Sequence, residues 1–154
     1  MTKKIEDRLT ALGLKLPDAP APAANYVPFV QTGNLVFISG QISRDDDGLI
    51  TGTLGQDADI AIGQRAAGTC ALALLAQLKE ACGGDLDRLV RVVKLTGFVN
   101  SAPDFTDHPS VINGASDLLG DILGDKGAHA RAAVGVAALP LNVAVEIEGI
   151  FEVS

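Results

Sequence analysis

The order of patterns along the chain predicts an α+β fold in which one mixed β-sheet carries two helices on the same face. Two helical segments alternate with strand-like segments in the order ββαβαββ, and a short helix precedes them. With 154 residues, 47% of them hydrophobic, the chain has the length and composition of one domain with a substantial core. Since no helix remains to cover the other face of the sheet, the pattern also predicts a symmetric oligomer.

The N-terminal part of the chain has its own character. Apolar residues at helical spacing predict a short helix over residues 5–12. A segment rich in Pro and Ala, residues 16–24, predicts an extended linker. We therefore divide the chain into a helix and linker over 1–24 and a domain over 25–154.

The domain itself is predicted from periodicity and turn chemistry. Strands are predicted over 27–31, 35–39, 89–99, 128–137 and 143–153, and helices over 60–82 and 110–123. Asp57 and Asp59 open the first of these helices, and Gly83 and Gly84 close it. The segment 89–99 is dominated by β-branched and apolar residues, which predicts a central strand buried on both faces.

The composition disfavours a nucleic-acid partner. The net charge is −7, and an acidic surface repels phosphate backbones. There is one Tyr and no Trp, so a platform for base stacking has few aromatic rings to use. A small anionic substrate remains compatible with this charge, because one local Arg dominates the electrostatics at short range.

No pattern of export or membrane insertion is visible. The first lysines are followed by no apolar run, and no apolar stretch approaches the ~20 residues of a spanning helix. Cys70 and Cys82 are twelve residues apart on one predicted helix, too far from each other for a disulfide. We therefore expect buried free thiols, no membrane partner and a cytoplasmic location.

Arg131 is the first candidate for a functional residue. Strand alternation places it on one face together with Ala133 and Gly135, so the Arg faces a space that larger side chains do not fill. A guanidinium in such a place suits a carboxylate or phosphate held by two parallel hydrogen bonds. The alternative is a structural salt bridge to Glu146 or Glu148 on a neighbouring strand.

Glu146 is the second candidate, and it shares one face of the last strand with Glu148. If the last two strands form a hairpin, Glu146 lies across from Arg131. A carboxylate beside an Arg stays ionised and can hold a water or act as a base. The alternative is an exposed strand charge, which fits Glu148 better than Glu146.

Other polar positions have weaker signals. Ser39-Gly40 ends the second strand, where Gly lets a ligand approach the backbone, although such a pair is also common turn chemistry. Tyr26 either covers a pocket or packs. Asn113 follows Pro109 near a helix start and is interpreted as a cap.

The sequence predicts no metal and no cofactor. His108 and His129 have no partners at metal-ligand spacing, and there is no cluster of Cys and His. The chain also lacks a Gly-rich phosphate loop and the strained serine turn of the α/β-hydrolases.

Two motifs resemble the signatures of the Rid (RidA/YjgF) family. The first is NLVFISGQI over residues 34–42, and the second is ARAAVGVAALP over 130–140 followed by VEIEGI over 145–150. The resemblance covers about residues 26–153. It implies a chorismate-mutase-like fold and homotrimers with a pocket at each subunit interface. It also implies hydrolysis of reactive 2-imino acids to 2-oxo acids and ammonia.

The resemblance also assigns roles to residues. Arg131 matches the Arg that binds the substrate carboxylate, and Glu146 matches the Glu that positions the hydrolytic water. The positions that line the pocket are matched by Tyr26, Ser39, Gly40, Asn113 and Ala133.

The chain departs from the family pattern in three places. Ala133 stands where the family often has a Cys, so only the backbone groups of Ala133 are available there. Seven residues separate Phe105 from Asn113, more than in the typical member, so residues 106–109 are expected to reshape the pocket rim. The third is the N-terminal extension before Tyr26. Together these departures indicate a subgroup with its own substrate range or reduced activity. The missing Cys and the changed rim also leave open a binding or regulatory protein of the same fold without turnover. The acidic charge argues against a ribonuclease.

Overall fold

The computed structural model describes residues 3–22 and 24–154. Helices are α1 (Lys4–Ala11), α2 (Ile60–Ala81) and α3 (His108–Leu123). Strands are β1 (Phe29–Thr32), β2 (Leu35–Ile42), β3 (Arg44–Asp45), β4 (Gly48–Leu49), β5 (Leu89–Asn100), β6 (Ala130–Val136) and β7 (Val145–Val153). Residues 1, 2 and 23, which belong to the predicted helix-and-linker segment 1–24, lie outside the described residues.

The predicted α+β class is confirmed. Five strands form one mixed sheet in the order β1-β2-β7-β5-β6, with β6 parallel to β5 and the other neighbours antiparallel. The short strands β3 and β4 pair with each other around a turn. Helices α2 and α3 pack against each other, α2 over β2 and β7 and α3 over β5 and β6.

The last two strands do not form the expected hairpin. Helix α3 forms the crossover connection from β5 to β6. Two neighbouring parallel strands require such a crossover, because a tight turn would make the second strand antiparallel to the first. Strand β6 therefore takes one edge of β5, and β7 takes the position on its other side, next to β2. The short 3₁₀ turn Pro140–Asn142 lies in the connection between them.

Close packing of the two long helices depends on Gly114 of α3. A Cβ on this residue would overlap the backbone of Gln64 in α2, so only glycine permits the observed approach. Asp59 caps α2 as predicted, because its side chain accepts a hydrogen bond from the Ile62 amide at 2.9 Å.

The face of the sheet opposite α2 and α3 is here named the open face. Among its side chains, Val30, Phe37 and Val134 are 54%, 42% and 43% exposed. Strand β5 is therefore buried on one face only, contrary to the prediction from its composition. Thr96 and Phe98 on its open side are half-buried. An apolar sheet face of this kind is rarely left to solvent.

Helix α1 packs onto the domain through buried Ile5 and Leu9. The amide groups of Lys4 and Ile5 donate to the carboxylate of Asp87 at 2.8 and 3.1 Å, which satisfies two donors at the start of the helix. None of the helices in the described part of the chain combines the length and the apolar character that crossing a bilayer requires.

The two cysteines are buried and unbridged. Cys70 lies within α2, and Cys82 is the residue that ends it. Burial raises the pKa of both thiols, and the charge of Glu146 raises the pKa of Cys70 further. A thiol that resists ionisation is a poor nucleophile, so neither cysteine is suited to covalent catalysis.

Candidate functional site

Arg131 lies on β6, an edge strand, and pairs in register with Leu95 of β5. Leu95 is fully buried beneath the helices, so the half-buried Arg131 side chain lies on the helix side of the sheet. Its Nη1 donates to Asn113 Oδ1 at 2.8 Å and to Ser116 Oγ at 3.1 Å. Two residues of α3 therefore hold the Nη1 side of the guanidinium, which is the inner side.

These contacts leave one edge of the guanidinium for a ligand. The two hydrogens of Nη1 are used by Asn113 and Ser116, and Nη2 makes one long contact of 3.5 Å with the Pro109 carbonyl. In the described part of the chain, Nε of Arg131 has no acceptor. Nε–H and the second hydrogen of Nη2 form the fork that takes a carboxylate in two parallel hydrogen bonds.

The predicted role of Asn113 as a helix cap is wrong. Helix α3 begins at His108, with Asp107 before it, so Asn113 lies in the second helical turn. Its side-chain oxygen accepts from Arg131 instead of from a backbone amide. The sequence could not show this because the partner of the Asn113 side chain lies on another element, strand β6.

Ser116 belongs to a longer chain of hydrogen bonds that the sequence did not reveal. Its hydroxyl lies 2.9 Å from His129 Nε2, and His129 Nδ1 lies 2.6 Å from the Gly127 carbonyl. A cavity of about 440 Å³ is lined in part by these residues and by Arg131. The one sequence feature that could have indicated a link between His129 and Arg131 was their position on the same face of the predicted strand.

Glu146 lies on the open face of β7, paired with Ile42 of β2 and Phe98 of β5. Its carboxylate occupies the space directly over Gly40, where a Cβ would stand in any other residue. Burial raises the pKa of the Glu146 carboxyl, and the charge of Glu148 raises it further. This carboxyl therefore binds protons more readily than an exposed glutamate.

Gly40 lies in a β-bulge that re-aims the end of β2. Ile38 pairs with Gly149 and Gln41 with Ile147, so one extra residue is inserted at Ser39-Gly40. The Ser39 hydroxyl donates to the Val27 carbonyl at 2.9 Å, just beyond Tyr26. This contact joins the bulge to the segment that contains Tyr26. Tyr26 itself is 47% exposed.

Ala133 follows Arg131 on the same face of β6 and pairs with Gly97. Ala133 is half-buried, and its methyl group supplies no polar atom. Two residues further along β6, a Cβ on Gly135 would overlap the side chains of His108 and Ser101. The Nε2 atom of His108 lies 3.1 Å from the Oγ atom of Ser101. This second His–Ser pair was also missed from the sequence.

Arg131 and Ala133 thus lie on one face of the sheet, and Glu146 lies on the opposite face. We name Arg131, Asn113 and Ala133 the arginine half-site, and Glu146 with the Ser39-Gly40 bulge and Tyr26 the glutamate half-site. Strand β5 separates β6 from β7.

The expected pairing of Arg131 with Glu146 or Glu148 is accordingly wrong within one chain. Arg131 forms no salt bridge with either glutamate in residues 3–22 and 24–154. Its observed partners are neutral groups of α3.

Comparisons with known proteins define the class. The sequence profile of the family described as "YjgF/chorismate mutase-like, putative endoribonuclease" matches residues 6–152. Protein TCP17 of Trypanosoma cruzi is 48% identical over 153 residues, which cover 98% of this chain and 95% of that protein. A 2-iminobutanoate/2-iminopropanoate deaminase of Dermatophagoides farinae is 32% identical over 139 residues, covering 89% and 92%.

A solved structure agrees with the fold. The crystal structure of the protein Atu1372 from Agrobacterium tumefaciens superposes with a TM-score of 0.91 at 51% identity, covering 97% of this chain and 92% of that one. The fold and the sequence matches together show that this chain belongs to the YjgF/Rid family.

Proposed function

We propose that this protein hydrolyses small 2-imino acids to 2-oxo acids and ammonia, without a cofactor. The observation that carries the proposal is the state of Arg131. Its inner nitrogen is anchored by Asn113 and Ser116, while the fork of Nε and Nη2 is left for a carboxylate. The similarity to a relative named as a 2-iminobutanoate/2-iminopropanoate deaminase supports this substrate class.

The two half-sites meet, in this proposal, at the interface between copies of the chain in a homotrimer. Arg131 lies on the edge strand β6, and Glu146 lies on the open face, so one chain cannot bring them to the same ligand. The exposed apolar residues of the open face favour cover by another subunit. A head-to-tail contact around a threefold axis would join each arginine half-site to the next glutamate half-site.

The chemistry then follows from the residues. Arg131 binds the substrate carboxylate, which places C2 of the imine near the glutamate half-site. Water adds to C2 as Glu146 accepts one of its protons and passes that proton to the imine nitrogen, which gives a carbinolamine. The hydroxyl proton of the carbinolamine then moves to the nitrogen, the C–N bond breaks, and ammonia leaves as C2 becomes a carbonyl. The raised pKa of Glu146 suits a group that accepts a proton and returns it in one cycle. Positioning supplies much of the acceleration, because such imines already hydrolyse readily in water.

The remaining candidate residues shape the pocket. Ser39 keeps the bulge and the Tyr26 segment together, and Gly40 lets the Glu146 carboxylate and a ligand approach the backbone. The backbone groups of Ala133 face the same side as Arg131. The free thiols of Cys70 and Cys82 support a cytoplasmic location, which is part of this proposal.

A second candidate function is the binding of small 2-oxo acids without turnover. Ala133 favours it, because a methyl group cannot assist proton transfer beside the carboxylate anchor. Both functions use Arg131, and they differ in whether Glu146 activates water.

Ammonia release tests the proposal. An amino-acid oxidase generates 2-imino acids in the assay, and we expect the protein to accelerate the appearance of ammonia. Pyruvate should raise the melting temperature, because a ligand that binds only the native state stabilises it. Stabilisation by pyruvate with no acceleration at any enzyme concentration would establish the binding function instead. RNA should neither bind nor be cleaved, given the net charge of −7.

A further inference from the structure

The hydrogen bonds behind Arg131 form one continuous chain. It runs from the Gly127 carbonyl through His129 and Ser116 to Nη1 of Arg131, with separations of 2.6, 2.9 and 3.1 Å. All three side chains are half-buried, and the path links the 3₁₀ turn that ends at Gly127 to helix α3 and strand β6. Ser116 anchors Arg131 directly, whereas His129 contacts only Ser116 and the Gly127 carbonyl.

The chemistry of the groups fixes where each proton lies. A carbonyl oxygen only accepts, so His129 Nδ1 carries a hydrogen and donates it to Gly127. Nε2 of the neutral ring is then an acceptor, and the Ser116 hydroxyl donates to it. The lone pairs of Ser116 Oγ are thereby directed away from the ring, and one of them accepts from Arg131.

We infer that His129 is a positioning residue, which acts through Ser116 to hold the Arg131 fork in the orientation that binds a substrate carboxylate. The inference rests on the proposed function and extends it to a residue that does not touch substrate. Without the His129 acceptor, the Ser116 hydroxyl is free to rotate its hydrogen toward the guanidinium. A hydrogen in that direction removes one of the two acceptors that occupy Nη1.

Two substitutions separate this role from a purely structural one. His129→Asn keeps a short amide that can still donate to the Gly127 carbonyl, but it has no atom at the position of Nε2. His129→Gln reaches further and can offer its carbonyl oxygen to Ser116. We therefore expect His129→Asn to bind pyruvate about five- to tenfold more weakly in calorimetric titration and His129→Gln to recover most of the affinity.

The kinetic pattern is equally specific. A carboxylate contact is made in the ground state and the transition state alike, so its loss raises KM more than it lowers kcat. Ser116→Ala should reproduce the effect of His129→Asn. The double variant should be no worse than either single one, because both changes break the same chain.

Thr69 of α2 supplies a matched control for Ser116→Ala. It is also a half-buried helical residue with a hydroxyl, which donates to the Ala66 carbonyl at 2.7 Å, and this contact does not lead to Arg131. Thr69→Ala should therefore keep the affinity for pyruvate within about twofold of the wild type.

The inference is overturned if correctly folded His129→Asn and Ser116→Ala bind pyruvate like the wild type, or if His129→Gln is as weak as His129→Asn. Failure of the proposed function is a different result, namely a wild-type protein that neither binds pyruvate nor releases ammonia. In that case the Nε–H resonance of isotope-labelled Arg131 gives the readout. A resonance that is unchanged by His129→Asn would still contradict the positioning role.

Discussion

At the residue scale, the account depends on what Arg131 contacts. The sequence left open a structural partnership with Glu146, and that reading required the two residues to share a strand pair. The structure instead gives Arg131 neutral partners on α3, Asn113 and Ser116. The sequence drew attention to Arg131 because an Arg among small residues is unusual, but it could not identify the partners because they lie on a different element.

Arg131→Ala should abolish function without unfolding the protein. A charge-assisted contact is worth about 1.5–3 kcal/mol, so binding of pyruvate should weaken at least about tenfold and imine hydrolysis should fall in parallel. The free energy of unfolding should fall by no more than about 2 kcal/mol, because only hydrogen bonds to neutral groups are lost. Loss of about 3–5 kcal/mol would instead indicate a buried ion pair. Arg131→Lys keeps the charge without the fork and should also lose most activity.

Glu146 should set the acid limb of the pH profile. Because burial and Glu148 raise the pKa of Glu146 above its ordinary value of 4.5, the basic form is lost at a higher pH than for an exposed glutamate. Activity should therefore decline on acidification through this raised pKa. Glu148→Gln removes the neighbouring charge and should move the limb to lower pH. A limb that does not respond to Glu148→Gln would show that another group controls it.

The same shift predicts the effect of Glu146 on stability. A carboxyl whose pKa is raised in the folded state stabilises the fold below its unfolded pKa, and this contribution is lost as the pH rises through the folded pKa. At pH 7 the ionised Glu146 side chain therefore destabilises the folded state. Glu146→Gln should raise the melting temperature at pH 7, give little gain near pH 4, and abolish imine hydrolysis. A lower melting temperature at pH 7 would contradict this reading of the site.

At the scale of elements, periodicity predicted each helix and long strand, with bounds displaced by a few residues. What it could not predict was the order of strands in the sheet. The hydrophobic pattern of β6 and β7 is compatible with a hairpin, and only the crossover through α3 places β7 between β2 and β5. The bulge at Ser39-Gly40 was likewise invisible, because an extra residue leaves no mark in a short alternating pattern.

The bulge gives a prediction at this scale. Gly40→Ala would put a methyl group where the Glu146 carboxylate now lies, and the flexible glutamate would have to move. We expect kcat to fall at least about tenfold while pyruvate still binds through Arg131. Gly68→Ala in α2 is the control, because a Cβ there makes only ordinary contacts, 3.6 Å from the Gly114 carbonyl oxygen and 3.7 Å from Leu118. That variant should be as active as the wild type and slightly more stable. Equal kcat in both variants would remove the bulge from the site.

At the scale of the whole molecule, the open face is the feature on which the proposed trimer depends. Phe37 and Val134 are 42% and 43% exposed on a sheet face that no described element of the same chain covers. Val134→Asp places a charge in this apolar surface, and burying an unpaired charge at an interface costs several kcal/mol. We expect the wild type to be a trimer by light scattering and Val134→Asp to be a monomer or to exchange subunits rapidly. A monodisperse wild-type monomer at micromolar concentration would contradict the assembly.

The central claim is that each site combines the arginine half-site of one subunit with the glutamate half-site of the next. It is tested most directly by mixing two inactive proteins. Arg131→Ala and Glu146→Gln are co-expressed with different affinity tags, and trimers that carry both tags are purified. In every ring of three that carries both tags, one interface brings an intact Arg131 to an intact Glu146.

We predict that these mixed trimers release ammonia at a substantial fraction of the wild-type rate, although each parent protein is inactive. Trimers of each parent mixed without subunit exchange should remain inactive, which controls for simple addition. The account would be contradicted by well-folded mixed trimers that carry both tags and show no more activity than their parents.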